Sequence, residues 1–236
     1  IYVKRFKRPK RPRYGTLNMV FSEQELSLFL SSIKNRKFVL LFKYQAFLGL
    51  RIGEACVVNT NDMNFNTREL KINSEKSHVT DTLLIPETLL RDTEEYIREN
   101  RSAIEKSGGY LFFKDNDNNS NRITHIDKNY ARKVFRKVRE HAGLNEFYGK
   151  SEENYEGHPE RPLYRLSTHS LRRYAITRFH HVSRDIVLTS RYARHQDTKQ
   201  TIRYIENNRD ELYSNIDIAF NKGVQQRKAS PIYIDA

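Results

Sequence analysis

Between Lys37 and Gly49 the chain carries Phe38, Val39, Leu40, Leu41, Phe42, Ala46, Phe47 and Leu48, too many apolar side chains for one face of a helix. A helix of that kind is stable only when it is buried on most sides. Other elements must therefore pack round this segment. Upstream, Ser22 followed by Glu25 makes a capping-box signature, and Leu26, Phe29, Leu30 and Ile33 recur at helical spacing, so a helix is predicted to begin at Ser22. Downstream of Gly49, Arg51 to Val58 reads as a short helix. Three β-like runs follow, Asp62–Phe65, Glu69–Asn73 and Thr80–Ile85, the last ended by Pro86.

These three runs suggest one small antiparallel sheet. Glu87 to Arg101 is predicted helical, with Leu89, Leu90 and Ile97 on one side and charge on the other. A further helix is expected around Asp127–His141, and helices again from Thr168 almost to Lys222. The polar stretches Lys114–Arg122 and Asn145–Pro162 read as surface loops. No internal repeat is visible. The expected fold class is mainly α with a small antiparallel β-sheet (α+β).

The chain has 236 residues, 37% of them hydrophobic, enough to bury one main core. Its formal charge of +13, from 42 Lys+Arg against 29 Asp+Glu, points to a polyanionic partner, most simply nucleic acid. Part of that charge lies at the start, in Lys4, Arg5, Lys7, Arg8, Lys10, Arg11 and Arg13, with Pro9 and Pro12 among them. Such a stretch reads as an extended linker that touches phosphates; the alternative is a solvated basic tail. Residues 1–20 are accordingly expected to be a linker from a DNA-binding domain further upstream. Cys56 is the sole cysteine, which rules out an intramolecular disulfide and argues against a thiolate zinc site. A reducing, cytoplasmic setting is expected, with no membrane span, because no apolar run approaches the roughly 20 residues needed. Phosphate-loop, dinucleotide and zinc-protease motifs are all missing. The pair His180-His181 makes a poor metal site, since neighbours on a helix point about 100° apart.

Three segments carry the chemistry: Leu48-Gly49-Leu50-Arg51-Ile52-Gly53-Glu54, then Thr168-His169-Ser170-Leu171-Arg172-Arg173, and finally His195 with Tyr204 nine residues on. In this order they resemble the tyrosine recombinase and integrase family, in its G-L-R-x-x-E box, its H-x-L-R box and its last histidine and nucleophilic tyrosine. The resemblance runs from about Phe21 to Phe220. It implies a catalytic domain over 21–222, a tail over 223–236, and cleavage and rejoining of duplex DNA without cofactor or metal. Tyr204 would attack phosphorus, Arg51 and Arg172 would clamp its non-bridging oxygens, His169 would accept the phenolic proton and His195 would add a hydrogen bond. Arginine suits the clamp because its planar, permanently charged fork matches phosphate. A phenol ordinarily ionises near pH 10, so it needs a base at neutral pH.

The resemblance further implies that Lys76, between the second and third β-like runs, protonates the leaving oxygen, with Lys71 as its rival. Glu54 would orient the site, and Arg173 would contact DNA. The sequence departs from the family in three places: Ser74-Glu75-Lys76-Ser77-His78 lacks the usual glycines, Arg173 stands where many relatives have histidine, and Arg194 stands where glycine is usual. Tyr192 and Tyr213 are the nearest alternatives to Tyr204. The implied partner beside DNA is a homo-oligomer, a tetramer in the synaptic complex. Leu212, Ile216 and Phe220 form a stripe that would dock on a neighbouring protomer or pack on its own core. Alternative functions are relaxation of supercoils in the manner of a type IB topoisomerase, and a silent DNA-binding module.

Overall fold

The computed structural model describes residues 19–73, 80–114, 124–150, 162–195 and 201–202. Helix α1, Glu23–Ser31, starts where its capping box predicts: Ser22 Oγ accepts from the Glu25 amide at 3.2 Å, and the Glu25 carboxylate accepts from the Ser22 amide at 2.8 Å. Helix α2, Arg36–Leu48, is capped by the Asn35 side chain and stopped by Gly49 at φ 60, a left-handed conformation that glycine adopts without strain. Phe38, Leu40, Leu41, Phe42, Tyr44, Gln45, Ala46 and Leu48 of α2 are all buried, as its composition requires.

The covering comes from several elements. Helix α4, Glu87–Lys106, packs on α2 and ties to it where the Tyr44 and Thr93 hydroxyls meet at 2.9 Å. Helix α5, Lys128–His141, is started by Asp127 and adds Phe135 to an aromatic cluster. There the Phe135 ring lies 4.8 Å from Phe29 and 5.7 Å from Phe42. Helix α6, Thr168–Ser183, lies against α2 on another side, and α7, Ile186–Ala193, packs on α6. The short α3, Ile52–Cys56, contacts both α2 and α5.

The three β-like runs form one antiparallel sheet in the order β1 (Met63–Asn64), β2 (Glu69–Asn73), β3 (Thr80–Leu84). Leu70 pairs with Leu83, and both are buried, while Glu69 and Lys71 point outward in the alternation a half-covered sheet needs. The fold is mainly helical with small antiparallel sheets, as the sequence predicts. Two details differ. Helix α4 runs on to Lys106, past a non-helical Asn100. The ends of the 145–162 stretch also extend into a second sheet, β4 (Phe147–Lys150) against β5 (Pro162–Tyr164), where loop alone was expected. The pairing is hard to foresee because Gly149 and Pro162 are both poor strand residues and the register shifts between Phe147 and Gly149. What holds β5 is tertiary: the Arg139 guanidinium stacks 4.1 Å above the Tyr164 ring and donates to Leu166 O at 2.7 Å. Among the described residues no helix is long and apolar enough to cross a membrane.

Candidate active site

The left-handed turn at Gly49 delivers the chain from the end of α2 to Arg51, the residue that precedes α3. Glu54 is the third residue of that helix, the position from which a carboxylate reaches back to the N-cap amide. It does so, accepting from Arg51 N at 2.8 Å on Oε2, and it also accepts from Arg51 Nη1 at 2.7 Å on Oε1. The Arg-x-x-Glu spacing is thus a helix start that doubles as an ion pair. Glu54 is 1% exposed. Burial alone would push its carboxyl up, but Arg194 above all, and then Arg51, hold it below the usual carboxylate range.

Arg172, in the second turn of α6, is 1% exposed and reaches across to the first segment. Its Nη1 donates to Gly49 O and its Nη2 to Ala193 O at 2.5 Å. Both carbonyls stand at helix C-termini, the negative ends of α2 and α7, where a cation is favoured. Arg172 therefore fastens together the chain ends that carry Arg51 and His195. Its neighbour Arg173 is partly buried and lies close enough to His169 to repel a proton there.

His169 lies in the first turn of α6, whose N-terminal dipole favours an anion. Loss of hydration and the cations Arg173, Arg172 and Arg51, with His195, push its imidazole down to about 4. The residue keeps some exposure, so the nearby cations contribute to the shift beside burial. His195 follows α7, with its amide donating to Ser190 O at 3.0 Å and its Nδ1 bonded to the buried Thr201 hydroxyl at 2.9 Å. Burial, then Arg172, Arg51 and Arg194, push it down to about 4 as well. Both imidazoles are neutral at pH 7, the state a proton acceptor requires.

The structure thus brings together Arg51, Glu54, His169, Arg172, Arg173 and His195, residues drawn from separate parts of the sequence. It adds one that sequence did not single out as functional, Arg194, whose Nη2 donates to Glu54 Oε2 at 2.8 Å and lies 3.5 Å from Gly49 O. The only hint in the sequence was an arginine where a glycine was expected. Tyr192, an alternative nucleophile, is committed elsewhere: its hydroxyl donates to Phe47 O at 2.7 Å, its ring stacks on Phe179, and burial drives its ionisation well above the usual range. Lys71 lies exposed in mid-β2 opposite Thr82. Tyr204, Lys76, Tyr213, the basic stretch from Lys4 to Arg13 and the stripe from Leu212 to Phe220 lie outside the described residues. His180 is bonded to the Thr189 hydroxyl at 3.2 Å, and among the described residues no His, Cys, Asp and Glu gather as a metal site.

The sequence matches the phage integrase family over residues 20–211. Among curated proteins, the tyrosine recombinase XerA of Pyrococcus furiosus is 28% identical over 58% of this chain and 48% of its own, so the match spans about half that protein's length. A crystal structure of XerA recombinase superposes with a TM-score of 0.63 at 18% identity, covering 96% of this chain and 68% of that one. The XerH site-specific recombinase, bound to palindromic difH substrate in a post-cleavage complex, also gives a TM-score of 0.63 at 18% identity, covering 85% of this chain and 52% of that one. At these identities the likeness is one of fold.

Proposed function

Because the chain belongs to the phage integrase family, we propose that it carries the catalytic site of a site-specific recombinase, cleaving and rejoining duplex DNA through a covalent phosphotyrosine. The observation that carries this reading is the gathering of guanidinium and imidazole groups from separate segments of the chain. Arg51, Arg172 and Arg173 lie around His169, and Arg51 and Arg172 also lie near His195. Cations gathered in this way favour an anion, and a phosphodiester fits two-pronged guanidinium donors.

In the proposed reaction the Tyr204 oxygen attacks phosphorus and forms the new P–O bond as its proton passes to His169. The bond from phosphorus to the 5′ oxygen breaks, and that oxygen takes a proton from Lys76. Arg51 and Arg172 hold the non-bridging oxygens as their charge grows, while His195 donates one hydrogen bond. The phosphotyrosine retains the energy of the broken ester, so a 5′ hydroxyl from another strand can reverse the steps and seal the DNA without a nucleotide. Exchange between two duplexes needs four strand cuts, one nucleophile for each, which supports a tetramer on DNA as the working assembly.

The test is to incubate the full chain with a random-sequence library of nicked duplexes, whose short cleavage product diffuses away, and to look for denaturant-resistant protein–DNA adduct. Wild type should form adduct and Tyr204→Phe should bind DNA without forming it. Adduct with Tyr204→Phe would remove the nucleophile assignment. Relaxation of a supercoiled circle with no exchange between two recovered sites would move the reading to a topoisomerase.

A further inference from the structure

Arg194 ends α7 at φ 53 and ψ 47, in the left-handed region that favours glycine. Its side chain is 6% exposed, and Nε and Nη1 are buried with no hydrogen-bond partner among the described residues. Backbone strain and a half-satisfied buried guanidinium both count against an arginine here. Ending α7 does not require a cation, since glycine would end it with less strain. What the arginine adds is its bond to Glu54.

Glu54 joins two guanidiniums: Oε2 takes Arg194 Nη2 at 2.8 Å beside the Arg51 amide, also at 2.8 Å, and Oε1 takes Arg51 Nη1 at 2.7 Å. We propose that Arg194 is a positioning residue of the strand-transfer site, pinning Oε2 so that the Glu54 carboxylate keeps the orientation from which Oε1 grips Arg51. This rests on the recombinase reading of the site. It makes Arg51 dependent on a residue from the far end of the domain, so the first and third sequence segments are coupled through one carboxylate.

Among the described residues, few charged or titratable groups lie near Glu54. Arg51 faces it from the start of α3 and Arg194 from the end of α7, while His125, Asp127 and Lys128, at and just before the start of α5, line a recess of about 320 Å³ together with Glu54. Arg194 does most to keep the buried carboxyl ionised. Without it, the Glu54 carboxyl rises, takes up a proton at higher pH and gives up its charge-assisted hold on Arg51.

The experiment measures adduct formation on the duplex recovered above, across roughly pH 5 to 8, for wild type, R194G, R194Q and R194K, with folding followed by circular dichroism. R194G and R194Q should slow cleavage by roughly tenfold or more, bind DNA within about twofold of wild type, and lose activity at a higher pH than wild type as acid is added. R194K, which restores the charge, should recover part of the rate and of the pH profile. Wild-type rate and pH profile in the folded variants R194G or R194Q would overturn the proposal. So would a uniform slowing at every pH that R194K does not relieve, which is what a purely architectural ion pair would give. Failure of wild type itself to form adduct would instead bring down the recombinase reading, and this proposal with it.

Discussion

His169 and His195 sit among guanidiniums, and that fixes the sign of their pH behaviour. Each ordinarily ionises near 6.5 and is pushed down to about 4 in the fold. Above 6.5 neither the folded nor the unfolded chain protonates them. As pH falls from 6.5 towards 4 the unfolded chain takes up protons that the folded one refuses, so stability is lost across that window. Urea midpoints measured through it should decline, and the decline should shrink in His169→Gln. Bound DNA reverses the local field: an imidazole titration followed by NMR should move both histidines up when duplex is added. A second residue-scale outcome concerns Glu54. Glu54→Gln leaves Arg51 and Arg194 facing a neutral amide in a buried site, which should cost about 3 kcal/mol of stability, read as a lowered thermal midpoint, and slow cleavage roughly tenfold to a hundredfold.

At the level of elements, the helix boundaries differ in how far they depend on distant parts of the chain. The starts of α1 and α5 are set by side chains a few residues away, Ser22 with Glu25 and Asp127 with the amides of Asn129 and Tyr130. Such signals are local, and they were legible in the sequence. Asp127→Ala should lower the urea midpoint, because the helix loses its cap, and leave cleavage chemistry unchanged. Gly49 is different. A Cβ there would meet Ala175 Cβ at 3.6 Å and the Tyr192 ring at 3.8 Å, ordinary contacts, so Gly49→Ala is penalised for its φ of 60 rather than for space. About 1 to 2 kcal/mol is expected, together with slower cleavage, because Arg172 is anchored on the Gly49 carbonyl. The sequence motifs named the residues that gather at the site but not what each touches. Arg172 bonding two helix ends, Tyr192 enclosed against Phe179 and Arg194 reaching Glu54 all depend on how α6 and α7 fold back onto α2. The β4–β5 pairing was illegible for the same reason, its hold on Arg139 being formed only in three dimensions.

For the molecule as a whole, a formal charge of +13 sets how binding to a polyanion responds to salt. Affinity for duplex DNA should fall linearly on logarithmic axes as salt rises, with a slope of about −0.9 for each phosphate neutralised. Replacing the basic residues from Lys4 to Arg13 by glutamine should flatten that slope while sparing cleavage at low salt; an unchanged slope would mean that this stretch does not touch the backbone. Helix α2 links this scale to the chemistry. It carries much of the core, and the carbonyl of the Gly49 that caps it anchors Arg172. Its dissolution therefore releases Arg172, the clamp of the proposed reaction, in the same event. A warmed sample should show no interval in which it is still helical but already inert, and the melting curve and the curve of residual cleavage should coincide.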